Sequence, residues 1–136
     1  MLKFVVNMNP QSKKNSRTIY INKSTGNRFI GKSKRLQLAE NYYHDELLSQ
    51  LTTLQYQSLY KYNFPLTDIL EIEYKFYRGD KRKCDLSNLL ELPNDCLQSA
   101  GIIADDCQIH KIIAYKYYCK DNAHTEIIIN LLNIKE

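Results

Sequence analysis

Before Glu40 the chain contains no Asp or Glu at all, although Lys3, Lys13, Lys14, Arg17, Lys23, Arg28, Lys32, Lys34 and Arg35 fall in that stretch. A formal net charge of +4 therefore understates how unevenly the charge is placed. A second basic group, Arg78, Lys81, Arg82 and Lys83, precedes Asp85. Blocks of one sign point to a polyanionic partner, because Lys and Arg contacts to phosphate supply most sequence-independent nucleic-acid affinity. From charge alone, a solvated basic face with no partner is the competing reading.

Other absences bound the rest. No apolar run approaches the ~20 residues needed to span a bilayer. The apolar part of Met1 to Val6 is too short for a secretory signal and reads as a strand, so residence in the cytoplasm is expected. Cys84, Cys96, Cys107 and Cys119 are widely spread with no Cys-x-x-Cys, which argues against a zinc ribbon or a disulfide framework. Cys107-x-x-His110 is at most half of a metal site, and reduced thiols packed as small hydrophobes are the simpler reading. With four Gly and three Pro there is no linker, repeat or low-complexity segment, and 136 residues suit one domain, 1–136, with one core.

The patterning predicts an α+β fold. Leu2 to Met8 reads as a strand ended by Asn9-Pro10, and Gln11 to Arg17 as a polar loop. Thr18 to Ile21 and Asn27 to Ile30 flank a turn with Gly26, giving a basic hairpin that could contact DNA. Ser33 offers an N-cap to a long helix with Leu36, Ala39, Tyr43, Leu47, Leu51 and Leu54 on one face. After a Tyr-rich connector, Ile69 to Phe76 alternates as a half-buried strand aimed at the basic loop, which delivers Asp85 at its far side. Leu86 to Ala100 follows as helix, stopped by Gly101, with Pro93 forcing either a late start near Leu92 or a kink. Gln108 to Tyr118 and His124 to Leu132 read as an antiparallel hairpin. Two main helices on a mixed sheet result.

Asp85-Leu86-Ser87-Asn88 and the pair Asp105-Asp106 are the acids that chemistry would use. Carboxylates far apart in sequence but returned to one place by a helix make a site for a hard cation, and Mg²⁺ takes few protein oxygens. Within an extended segment Asp105 and Asp106 point to opposite faces, so only one would reach a metal. Two Asp at a helix-to-strand turn are alternatively plain turn formers.

Cys84-Asp85-Leu86-Ser87-Asn88-Leu89-Leu90, then Asp95-Cys96-Leu97, then Gly101-Ile102-Ile103-Ala104-Asp105-Asp106-Cys107-Gln108 resembles the RusA family of Holliday-junction resolvases. That family's pattern is Asp-Leu-Asp-Asn, an Asp-Ala-Leu, and Gly-x-x-x-Asp-Asp-x-Gln. Asn9-Pro10-Gln11-Ser12-Lys13-Lys14-Asn15 is similar to its opening loop. The resemblance implies a homodimeric α+β endodeoxyribonuclease that cuts four-way junctions and related branched DNA in recombination and repair. It implies Mg²⁺, or Mn²⁺ in its place, on Asp85 and Asp106 with Asp105 beside them. The two basic blocks supply the expected DNA contacts, from Lys13, Lys14, Arg17, Arg28, Lys32, Lys34, Arg35, Lys81, Arg82 and Lys83.

Two positions depart from the family. Its second Asp is Ser87 here, a neutral donor that leaves one negative charge fewer to offset the cation. Its Lys falls on Glu91. If the segment is helical, Glu91 shares a face with Ser87 and could return the missing carboxylate. The transition-state cation must then come from elsewhere, with Lys81, Lys83 and Lys111 the nearest in sequence. Three functions stay open: a junction-selective nuclease, a branched-DNA-binding or regulatory protein that has lost catalysis, and a nuclease of broader specificity.

Overall fold

A computed structural model of the chain describes residues 1–14, 17–58 and 62–132. Asn15 of the opening loop and residues 59–61 of the connector lie outside the described residues. In chain order the elements are β1 (Leu2–Val6), β2 (Arg17–Ile21), β3 (Arg28–Lys32), α1 (Lys34–Ser58), β4 (Leu70–Arg78), α2 (Glu91–Ser99), β5 (Ile109–Tyr118) and β6 (His124–Leu131). The main sheet runs β1-β6-β4-β5, and β2 with β3 forms a separate two-stranded ribbon.

The period-two pattern of β4 gives the sheet its buried face. Leu70, Ile72, Tyr74 and Phe76 are buried, while Glu71, Glu73 and Lys75 between them are only partly covered. Phe4 and Val6 of β1 and Ile127 and Ile129 of β6 join the same core. Against it α1 lays Leu36, Ala39, Tyr43, Leu47 and Leu51, and α2 adds Leu92, Cys96 and Leu97. Each fully buried Leu here contributes roughly 2 kcal/mol. Ser33 caps α1 as its sequence position predicts, its hydroxyl accepting from Leu36 N at 3.2 Å.

Each sheet edge is treated differently. Gln50 of α1 accepts from Val5 N at 2.9 Å and donates to Val5 O at 2.6 Å, which satisfies both backbone groups of Val5 on the outer edge of β1 with a side chain. No other strand among the described residues pairs with the far side of β5.

The expected hairpin of the last two strands does not form. β5 pairs with β4 in parallel, and β6 inserts antiparallel between β4 and β1. Parallel pairing needs a crossover, and α2 supplies it, making β4-α2-β5 a βαβ unit. Residues 120–123, where Asn122 N donates to Cys119 O at 3.4 Å across a turn, therefore carry the chain past β4 rather than joining two paired strands.

The Pro93 question resolves as a break. Leu86–Leu89 forms one 3₁₀ turn, Leu90 separates it from α2, and Pro93 falls in the first turn of α2, where its missing N–H costs nothing. At the other end Gly101 adopts φ 79°. Gly101 N donates to Gln98 O at 3.1 Å and Ile102 N to Leu97 O at 3.0 Å, the paired bonds of a Schellman ending.

Candidate functional site

The basic loop after β4 is held by side chains that its charge pattern does not reveal. Asn9 accepts from Gly79 N at 2.8 Å and donates to Asp80 at 3.1 Å. Asp80 in turn accepts from Arg82 N at 2.9 Å and pairs with Arg78 at 3.4 Å, while Arg78 donates to Arg82 O at 2.5 Å. The Arg82 N–H, followed by the Asn9 amide, holds the Asp80 carboxyl below the usual carboxylate range. Asn9 and Asp80 thus position the loop, and neither was expected to. An Asp two residues ahead of a bonded N–H is an Asx turn, a signal present in Gly79-Asp80. Farther along, Lys116 of β5 donates to Cys84 O at 2.7 Å.

Asp85 emerges from this braced loop, with an extended backbone, as the residue capping the 3₁₀ turn. Its carboxylate makes no cap bond and has Asn88 Nδ2 at 3.5 Å. Two open clefts meet at it. One, of about 370 Å³, is lined by Ser12, Lys14, Lys83 and Asn88. The other, of about 450 Å³, is lined by Lys81, Arg82, Lys116, Tyr117 and Tyr118 among others, with the Lys81 ammonium 4.9 Å above the Tyr118 ring.

Glu91 stands elsewhere. Exposed at the first turn of α2, it lines a cleft of about 650 Å³ with Lys13, Lys14, Arg17 and Lys32. Lys14 borders both this cleft and the one at Asp85. Lys13 pairs with Asp95 of α2 and, at 3.2 Å, with Glu40 of α1, and Lys32 pairs with Glu40 at 2.8 Å. Burial alone would lower the Lys13 pKa, but its bonds to Asp95 and Glu40 outweigh that and raise it. Lys13 is therefore committed to tying the opening loop to both helices, with 13% of its side chain exposed. Arg35 donates to Gln11 at 2.7 Å, and Lys34 is exposed at the start of α1. Of the cations nearest in sequence, Lys81 and Lys83 border Asp85, whereas Lys111 pairs with Glu71 at 3.3 Å away from both clefts.

Asp105 and Asp106 do different work. Asp105 caps the 3₁₀ turn Asp106–Gln108, accepting from Cys107 N at 2.9 Å, and Gln108 returns the bond by accepting from Asp105 N at 2.8 Å. The amide of Gln108 also donates to Leu66 O at 2.8 Å and Asp68 O at 2.9 Å, pinning the turn to the start of β4. Backbone donation from Cys107 keeps Asp105 below the usual carboxylate range. Asp106 is raised instead, first by its side-chain bond to Asp105 and then by desolvation and the charges of Asp105 and Asp95. Asp106 is thus the acid whose ionisation a bound cation would most relieve.

Parallel pairing fixes where each acid joins the sheet. Asp106 enters just ahead of Ile109, which pairs with Leu70 at the start of β4, whereas Cys84 is tied to Lys116, which pairs with Phe76 near the other end. Among the described residues no group of three or more His, Cys, Asp or Glu converges tightly enough to hold a metal. The donor chemistry still fits Mg²⁺, which binds oxygens and takes only one or two carboxylates with waters. Cys96, by contrast, is buried with its thiol pushed up to about 12 by desolvation, the behaviour of an inert packing residue.

No helix among the described residues is long and apolar enough to cross a membrane. No curated protein is similar enough to the chain to count as a relative. The sequence model described as Endodeoxyribonuclease RusA matches residues 5–130, nearly the whole chain including the braced loop, the Asp85 turn and the Asp105-Asp106 pair, and the chain belongs to that family.

Proposed function

We propose that the chain is a divalent-metal-dependent endodeoxyribonuclease that resolves Holliday junctions or related branched DNA, acting as a homodimer. The observation that carries this reading is Asp85 at the meeting point of two cationic clefts, in a chain of a nuclease family. Lys14, Lys81, Arg82 and Lys83 would receive the phosphates flanking the cut, with Arg17, Arg28, Lys32, Lys34 and Arg35 extending the contact along the DNA. Lys14 and Lys83 are the cations best placed beside Asp85 to offset charge on the reacting phosphate. Asp85 and Asp106 would hold Mg²⁺, or Mn²⁺, with Asp105 bracing the turn that presents Asp106. When bound, the ion supplies an activated water and charge neutralisation at the phosphate. Glu91, in the adjoining cleft that shares Lys14 with the one at Asp85, is the candidate third carboxylate in place of the acid missing at Ser87. A two-fold dimer suits a four-way junction, which presents two symmetric strands to cut.

Ser87 and the absence of a three-acid cluster among the described residues favour one rival, a branched-DNA-binding protein without catalysis. Labelled four-way junction and linear duplex, incubated with Mg²⁺, Mn²⁺ or chelator, separate the readings. The nuclease reading expects paired nicks in the junction only when metal is present. Tight junction binding with no metal-dependent nicking would establish the rival, and equal cutting of linear duplex would make the enzyme a broader nuclease. If Glu91 completes the site, Glu91→Gln abolishes nicking while Ser87→Asp preserves or raises it.

A further inference from the structure

The ribbon of β2 and β3 has an aromatic face and a bare aliphatic face. On the aromatic face Tyr20 stacks on Phe29 with ring centroids 5.5 Å apart and its hydroxyl donates to Lys32 O at 2.5 Å, while Phe29 stays 53% exposed. Gly31 makes room for that ring: a Cβ there would lie 3.2 Å from it. On the other face Ile19 stands directly opposite Ile30, flanked by Arg17 opposite Lys32 and Ile21 opposite Arg28. These isoleucines are 65%, 67% and 62% exposed for Ile19, Ile30 and Ile21. An isolated two-stranded ribbon gains little by exposing three large aliphatic side chains to water.

Charge identifies the occupant. The bare face is apolar at its centre, with Arg17 and Lys32 at one end and Arg28 beside Ile21 at the other, and the ribbon holds no acid. Arg17 and Lys32 continue into the cleft that Lys14 shares with the Asp85 side. A second copy docking the same face two-fold would oppose Arg17 and Arg28 to the same two cations, Lys32 being paired with Glu40. A nucleic acid satisfies both components, since its phosphates take the cations and its stacked bases accept an apolar wedge where a step can open.

We propose that Ile19, Ile30 and Ile21 form a wedge that enters the unstacked branch point of a DNA junction while Arg17, Arg28 and Lys32 grip the flanking phosphates. This rests on the branched-DNA reading above and assigns the recognition of branching to the isoleucines rather than to the basic residues. Smoothly stacked duplex offers the wedge no opening and is held by phosphate contacts alone.

The test compares the full chain with its Ile19→Ser/Ile30→Ser variant, both measured in chelator so that binding is read without cleavage. The probes are a four-way junction carrying 2-aminopurine at the branch point and a linear duplex of the same sequence. The wedge predicts a loss of about tenfold or more in junction affinity for the variant, with duplex affinity changed less than about twofold. Junction binding by the parent chain raises 2-aminopurine fluorescence, and the variant does not. Arg17→Ala, as the phosphate control, weakens both DNAs in parallel. Equal loss on both DNAs, no loss on either, or a fall in the variant's mass to half that of the parent chain would each overturn the wedge, the last by showing a second copy on this face. A parent chain that discriminates the junction in chelator but never nicks with metal would sink the nuclease reading and leave the wedge standing.

Discussion

At the residue scale the two neighbouring aspartates separate into one spent on the fold and one proposed for the chemistry. Asp105 spends its carboxylate on a backbone N–H, and Asp106 carries the charge that its neighbour makes costly. Asp105→Ala should therefore lower stability, read as a urea unfolding midpoint shifted to lower concentration, because an N-cap is lost. Asp106→Asn should leave the unfolding midpoint nearly unchanged while removing nicking. The adjacency of two acids was legible in sequence, and so was the candidacy of Asp106. The capping role was also legible, since Asp105-x-x-Gln108 is a capping-box spacing, but it was read only as a turn. Asn9 was not legible: nothing in Asn9-Pro10 announces a partner at Gly79 and Asp80. Asn9→Ala should loosen the 78–85 loop and lower the nicking rate about tenfold at saturating DNA, with little change in the far-ultraviolet circular dichroism spectrum.

At the element scale the connections decide what the chain can do. Helix α1, strand β4 and the β2–β3 ribbon follow from period and turn chemistry, and the structure bears them out. The order of β5 and β6 does not follow, because alternating strands with a short polar connection look alike whether they pair with each other or straddle a third strand. That single difference makes the β4-α2-β5 crossover parallel and puts Asp85 on its first connection and Asp106 on its second. The end of α2 depends on Gly101 at positive φ, so Gly101→Ala should cost about 1 kcal/mol and Gly101→Asn less, read from thermal unfolding.

The pairs joining the opening loop to both helices give a pH signature. Burial would raise the Glu40 pKa, but its bonds to Lys32 and Lys13 lower it overall. Stability from a depressed acid is present above its unfolded pKa and is lost as pH falls through the folded one. The difference in urea midpoint between the parent chain and Glu40→Gln should therefore be full near neutral pH. It should shrink as pH falls below about 4.5, the ordinary Glu range.

At the scale of the whole molecule, the proposed DNA surface combines the basic first third with the acid-bearing connections of a sheet packed under two helices. The basic block was legible as a block, but its division of labour was not. Lys13 is tied to Asp95 and Glu40, while Lys14, next in sequence, borders both clefts. Only folding tells such neighbours apart. The most direct measurement is the single-turnover nicking rate of a four-way junction in Mg²⁺ for the parent chain and for Asp106→Asn, at protein concentrations that saturate the DNA. A metal-dependent rate that falls at least about a thousandfold in the variant, with junction affinity retained, is the predicted result. Saturated binding by the parent chain with no nicking in Mg²⁺ or Mn²⁺, or equal rates for the two proteins, would contradict it.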